Sequence, residues 1–262
     1  MRLDGRIALV TGASAGIGAA VAEYLAAAGA RVVVHGRDQQ RTEAVARQTG
    51  GVPLLADLAV PGAAAELAEA ALGVHGTMDI VVANAGLGWS GPFAEMSAAE
   101  VDRLVALDLL APLQLVRRLL PPMLDRRVGH VALVGSVAGR TGVAGEAVYA
   151  GTKAALDVFA ESLRLELSGT AVAVSLTIPG VVDTGFFAAR GRPYDRSRPR
   201  PVPAADVAQA LVDGIAHDRA EVWVPGWLRV APAVRALAPG LYRRLAGRFG
   251  EQVASRSGEE RR

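Results

Sequence analysis

Lys153 is the only lysine in a chain of 262 residues that carries 27 arginines. Where a plain positive charge suffices, this chain uses arginine. The ammonium that remains points to a task a guanidinium cannot do, since it is compact, carries three donors on a flexible stem and shifts its pKa readily. Lys153 follows Tyr149 by four residues, in Y-A-G-T-K, and tyrosine occurs only four times. On a helix that spacing puts both side chains on one face, one turn apart. A phenol beside a fixed ammonium is an acid–base pair. The positive charge favours phenolate and is expected to pull the phenol down from about 10 toward neutrality. Taken alone, the two residues also fit an ordinary polar pair on a solvated helix face.

Residues 11–18, T-G-A-S-A-G-I-G, stand between a β-rich run and a helical one. That context fits a dinucleotide cradle. Gly12 permits a tight turn, and Gly16 and Gly18 permit close backbone approach and helix–sheet packing. The helix start then offers free N–H groups and a positive dipole end to a pyrophosphate. The next β-rich run ends V-V-V-H-G-R-D. Gly36 occupies the place where an NAD site carries an acidic residue for the ribose hydroxyls, and Arg37 follows it. A guanidinium suits a 2′-phosphate, so NADP(H) is favoured, with NAD(H) as the other candidate. Asp38 either turns toward the ribose or pairs with Arg37.

Strands are expected over 7–10, 31–35, 53–56, 80–83, 130–134, 172–177 and 221–224. Helices are expected over 17–28, 39–48, 63–72, 97–120, 147–167 and 205–217. Gly29 closes the first helix, and Ser97 with Glu100 forms a capping box on the fourth, which should bend near Pro112. The strands are runs of Val, Ile, Leu and Ala without polar alternation, as when both sheet faces are covered. The alternation predicts an α/β fold: one doubly wound, Rossmann-type domain over 1–225, a parallel sheet with helices on both faces. A basic extension follows over 226–262.

The formal net charge is +2, so the whole surface is no polyanion-binding field, and no nucleic-acid partner is expected. With no cysteine there are no disulfides or thiol nucleophiles, which permits a reducing compartment. The four histidines are scattered without metal-ligand spacing, so no metal is expected. Asp4 and the glycines interrupt the N-terminal apolar run, unlike a signal peptide, and no run of about 20 apolar residues occurs. A cytoplasmic location is expected.

Together these motifs resemble the short-chain dehydrogenase/reductase family, over about residues 5–225. The family's T-G-x-x-x-G-x-G is residues 11–18, its Asp after the third strand is Asp57, and its N-A-G is Asn84, Ala85 and Gly86. Its serine is Ser136 in V-G-S-V-A-G, its Tyr-x-x-x-Lys pair is Tyr149 and Lys153, and its P-G-x-V-x-T runs from Pro179 to Thr184. The resemblance implies that Tyr149 is the general acid in carbonyl reduction and the base in alcohol oxidation. Lys153 lowers its pKa and holds the nicotinamide ribose, and Ser136 binds the substrate oxygen. It implies cofactor contacts from Gly12, Ser14, Gly16, Ile17 and Gly18 in the cradle, and from Arg37, Asp57 and Leu58 at the adenosine end. Asn84, Ala85, Gly86, Tyr149, Lys153, Pro179, Gly180, Val182 and Thr184 complete the set toward the nicotinamide. A homodimer or homotetramer, paired through the two long helices, is also implied.

The chain departs from the family at Asp108, in A-L-D-L-L, where an asparagine usually anchors a relay water. Asp108 either holds that water as an acceptor or only caps or kinks its helix. The family places a substrate flap at about 185–203. Here it carries five arginines and one aspartate, which fits a solvated loop or the attraction of an acidic substrate. Phe186 and Phe187 are candidates to line an apolar pocket.

Between 222 and 250 lie Trp223, Trp227, Leu228, Leu237, Leu241, Tyr242, Leu245 and Phe249, with five arginines and no acidic residue. This amphipathic stretch fits a membrane interface, packing on the domain, or a subunit contact. The tail 255–262 is polar and is expected to be disordered. Two rivals to a reductase stay open: a dinucleotide sensor on the same fold, and an epimerase or dehydratase using bound cofactor.

Overall fold

The computed structural model describes residues 1–192, 194 and 199–249, and for 247–249 only the backbone. The first half alternates strictly: β1 (Ile7–Val10), α1 (Gly16–Ala27), β2 (Arg31–Gly36), α2 (Gln39–Thr49), β3 (Val52–Leu55), α3 (Ala63–His75) and β4 (Ile80–Ala83). There follow α4 (Ala98–Val105), a π turn (Ala106–Leu110), α5 (Ala111–Arg126), β5 (Gly129–Val134), α6 (Val137–Thr141), α7 (Ala147–Glu166) and β6 (Val172–Pro179). The remainder comprises β7 (Val182–Asp183), α8 (Phe186–Ala189), β8 (Val202–Pro203), α9 (Ala204–Ala216), β9 (Glu221–Val224), α10 (Val230–Leu237) and α11 (Pro239–Phe249).

Seven strands form one parallel sheet in the order β3-β2-β1-β4-β5-β6-β9. Successive residues of a strand point to opposite faces, so each strand feeds two cores. Leu9, Val81, Val131 and Leu133 pack with Leu67 of α3, Leu115 and Leu119 of α5 and Leu163 of α7. Val10, Val32, Ile80 and Val82 pack with Val21 and Leu25 of α1, Val45 of α2 and Leu211 of α9. Burying each such side chain stabilises the fold by about 1.5–3 kcal/mol. The strand order reverses between β1 and β4, and a cleft opens beyond their carboxyl ends, where open α/β sheets take ligands.

The capping box forms as expected. Ser97 accepts from the Glu100 N–H, and Glu100 Oε2 accepts from the Ser97 N–H at 2.7 Å. The long helix it opens differs from expectation in two ways. It continues to Arg126, and the interruption precedes Pro112 as a π turn around Asp108. Pro112 has no N–H to bond the Asp108 carbonyl four residues back, so the regular ladder cannot pass this point. No helix among the described residues is long and apolar enough to cross a membrane. The tail from 255 onward lies outside the described residues.

Candidate active site

The cradle is built by backbone approach. Gly12 has φ +65, and a Cβ there would lie 2.8 Å from Ala85 Cα. A Cβ on Gly18 would lie 2.3 Å from the Gly12 carbonyl oxygen. Thr11 and Asn84 clamp β1 to β4. The Thr11 hydroxyl accepts from the Asn84 and Ala85 N–H groups at 3.0 Å, and Asn84 Nδ2 donates to the Thr11 carbonyl at 2.9 Å. His35 braces the turn from β2. Its Nδ1 accepts from the Gly12 N–H at 3.4 Å, and its Nε2 faces the Ala56 carbonyl at 3.1 Å. Burial pushes His35 down to about 4, so near neutral pH it is an uncharged bracket. Ala15 precedes α1 without capping it, which leaves the first-turn N–H groups open to an anion.

The outer wall of the cradle carries the charges. Asp38 lines the cleft, and its ion pair is with Arg41 rather than Arg37. It caps α2, accepting from the Arg41 N–H at 2.9 Å, with the Arg41 guanidinium 3.6 Å away. Asp57 faces Arg37 at 3.7 Å and Arg103 at 3.0 Å. The Ala59 N–H and these two guanidinium groups hold its carboxyl below the usual carboxylate range against a desolvation cost. Leu58 is buried beside it.

Beyond β4 and β5 lie the candidate catalytic residues. Ser136 sits at the end of β5, where its Oγ accepts from the Ala138 N–H at 3.1 Å and caps α6. Ser136 and Tyr149 line the same cleft. Lys153, one turn along α7, is buried, with Nζ 5.7 Å from the centre of the Tyr149 ring. It donates to the Val134 carbonyl at 3.2 Å and lies 3.3 Å from Asp108 Oδ2.

Asp108 is fully buried. Its Oδ1 accepts from the Leu87 N–H at 2.8 Å, while its Oδ2 makes the ion pair without a directed hydrogen bond. Burial pushes this carboxyl up, against the opposing pull of Lys153 and the Leu87 N–H. The expectation for Tyr149 is therefore corrected. In the protein alone its phenol is held above its ordinary value, first by burial and then by the Asp108 charge, with Ser136 opposing. Lys153 is ion-paired to Asp108.

Among the described flap residues, several pack at the site. Arg190 is buried and ion-paired to Glu146, three residues before Tyr149, and its guanidinium stands 4.5 Å from the centre of the Phe187 ring. Phe186 lies 5.6 Å from the Tyr149 ring. Thr184 Oγ1 accepts from the Phe186 N–H at 3.3 Å, and Val182 is buried on β7. Asp195, Arg196 and Arg198 lie outside the described residues.

One cleft of about 1130 Å³ is lined by Gly12, Ser14, Gly16, Ile17, Arg37, Asp57, Leu58 and, from β4 on, Asn84, Ala85, Gly86 and Asp108. The same cleft reaches Ser136, Tyr149, Lys153, Pro179, Gly180, Val182 and Thr184. Of the expected site residues only Gly18 lies behind that wall, packed on Gly12. A sequence profile described as short chain dehydrogenase matches residues 6–195. The chain belongs to the short-chain dehydrogenase family. It is 30% identical over 278 residues to mouse dehydrogenase/reductase SDR family member 7B, covering 99% of this chain and 84% of the mouse protein. Among solved structures it is similar to a metagenomic short-chain oxidoreductase in complex with NADP (35% identity, TM-score 0.72, 85% of this chain and 97% of that one). It is also similar to a short-chain dehydrogenase from Sphingobium yanoikuyae in complex with NADPH (27% identity, TM-score 0.79, 98% and 100%).

Three contributors to this short-chain dehydrogenase's site were not singled out from sequence: His35, Glu146 and Arg190. His35 carries a usable signal, an imidazole inside an otherwise apolar strand. Glu146 and Arg190 are 44 residues apart, and nothing local links them.

Proposed function

We propose that the protein is an NADP(H)-dependent oxidoreductase acting on a carbonyl or secondary alcohol of a small molecule. The observation that carries this is the single cleft that brings Ser136, Tyr149 and, one helical turn from it, Lys153 together with the glycine cradle. Tyr149 holds the proton that moves to or from the substrate oxygen, and Ser136 donates to that oxygen and opposes the build-up of charge on it. Lys153 offers its remaining donor capacity to ribose hydroxyls. A bound nicotinamide supplies or takes the hydride. Asp108 fixes Lys153 and the loop at Leu87, and its buried Oδ2 is the acceptor through which it would hold a relay water.

The cofactor fits by chemistry. The open N–H groups at α1 suit a pyrophosphate. A Cβ at Gly36 would meet Thr42 Oγ1 at 2.3 Å and Ser14 Cβ at 2.9 Å, so an acidic side chain has no room there. Arg37 and Arg41 both line the cleft beside that position, which supports a 2′-phosphate over a free ribose. The exposed Val158 and Leu165 on α7 support pairing of subunits through this helix, a dimer or tetramer that light scattering would reveal.

The test is oxidation of NADPH and NADH over ketones, aldehydes, quinones and 3-oxoacyl compounds, with wild type and Tyr149→Phe. Turnover with NADPH should fall at least about a hundredfold in the variant, the range of a lost general acid. Tight NADPH binding without turnover on any class would favour the sensor instead. Substrate turnover without net cofactor oxidation would mark an epimerase or dehydratase.

A further inference from the structure

Twelve large hydrophobic residues stand exposed among the described residues, and five of them fall after the last strand: Trp227, Val230, Leu237, Leu241 and Leu245. Leu237 is 87% exposed. Leu241 and Leu245 lie one turn apart on α11, which makes a short apolar stripe there, and Leu237 closes α10 across the break at Ala238. This stripe is not the side by which the helices are attached. The attachment is made by Leu228, buried against Gly180, and by two bonds to α6. Arg235 donates to the Arg140 carbonyl at 2.6 Å, and Tyr242 donates to the Thr141 carbonyl at 3.0 Å.

The charge around the stripe has one sign. Residues 226–249 carry five arginines and no acidic residue, while the whole chain is only +2, so the remainder is net negative. That polarity chooses among the occupants. A second copy docked through the same helices would set like charges against one another. Residues 250–262 carry a single large apolar side chain, Val253. An anionic bilayer complements both features, taking the leucines and Trp227 at the acyl boundary and the arginines among its headgroups.

We infer that α10 and α11 dock this protein on an anionic membrane surface, lying in the interface without crossing it. This stands apart from the dehydrogenase reading, because binding is measured without turnover.

The experiment is co-sedimentation of the full chain with vesicles of phosphatidylcholine containing about one third phosphatidylglycerol, against pure phosphatidylcholine. Wild type should bind the anionic vesicles at least about tenfold more tightly, and high salt should weaken that binding. Leu237→Glu/Leu241→Glu and, separately, Arg243→Gln/Arg244→Gln should each lose most of it. All four positions are exposed, so unchanged melting is expected in both variants. Equal or absent binding to the two vesicle types would overturn the inference. So would leucine variants that bind as wild type does. A leucine variant that dissociates an oligomer without changing vesicle binding would assign the stripe to a subunit contact instead.

Discussion

A methyl group on Gly18 would strike the Gly12 carbonyl at 2.3 Å, whereas at the other end of the cleft Lys153 is held by a carboxylate 3.3 Å away. The cradle is made of backbone, a neutral imidazole and the absence of side chains. The chemical end is made of buried charges: Asp108 on Lys153, and Glu146 on Arg190. The two ends therefore fail in different ways. Added volume breaks the first, and lost charge balance breaks the second. A phosphate group needs donors at fixed positions, which rigid backbone supplies. A titrating phenol needs a tuned potential, which only charges supply.

Lys153→Met tests the charged end hardest. It leaves Asp108 buried without its partner, a loss of about 3–5 kcal/mol. Urea unfolding should show this, together with loss of turnover. In an Asp108→Asn background the same change should cost far less, because no carboxylate is left stranded. A single variant as stable as wild type would mean that packing alone holds this end too. Gly18→Ala tests the cradle. Overpacking there should cost about 1–3 kcal/mol and weaken NADPH binding. Gly151 lies on the same helix as Tyr149 with nothing within 4 Å of an added Cβ. Gly151→Ala should instead gain about 0.5–1 kcal/mol. Similar losses at both glycines would refute the steric account.

The same contrast governs what the sequence reveals. The cradle is local: its glycines, strand and helix are contiguous, and each glycine's reason is its own backbone. Likewise Ser97 and Glu100 meet within one helical turn, and Tyr149 and Lys153 share a helix face. The charged end is assembled across the chain. That Lys153 pairs with Asp108 depends on α7 lying beside the π turn. The phenol's pKa therefore could not be read from Y-A-G-T-K. The π turn hides in a helical pattern that Pro112 only hints at. His35 braces Gly12 because β2 pairs beside β1, with Val34 against Val10. The flap arginines look alike as composition, yet the fold buries Arg190 and leaves Arg192 exposed.

Arg190→Ala should have a smaller effect than either core change. It removes the tie between the flap and α7, and KM should rise about tenfold, the scale of one lost charged contact. It also takes the Arg190 charge away from Glu146 and Tyr149. Glu146 raises the phenol's pKa and Arg190 lowers it, so the variant's pH profile should move upward. Adding Glu146→Gln should return the profile toward wild type while KM stays high. If KM and the pH profile recovered together, flap closure and phenol tuning would be one effect, not two.

Asp108→Asn has the smallest expected effect and divides the charged end most finely. The amide oxygen can still accept from the Leu87 N–H, so the π turn keeps its anchor while the negative charge goes. That charge is second only to burial in holding the Tyr149 phenol high. Its removal should lower the phenol's pKa. In alcohol oxidation the phenolate is the active form, so the acid limb of kcat/KM should move to lower pH, by up to about one unit. In carbonyl reduction the protonated phenol is active, and the alkaline limb should move the same way. A shift in both directions of reaction identifies the phenol as the titrating group. An unmoved profile would leave burial alone responsible for Tyr149, with the carboxylate at position 108 serving only to hold Lys153 in place.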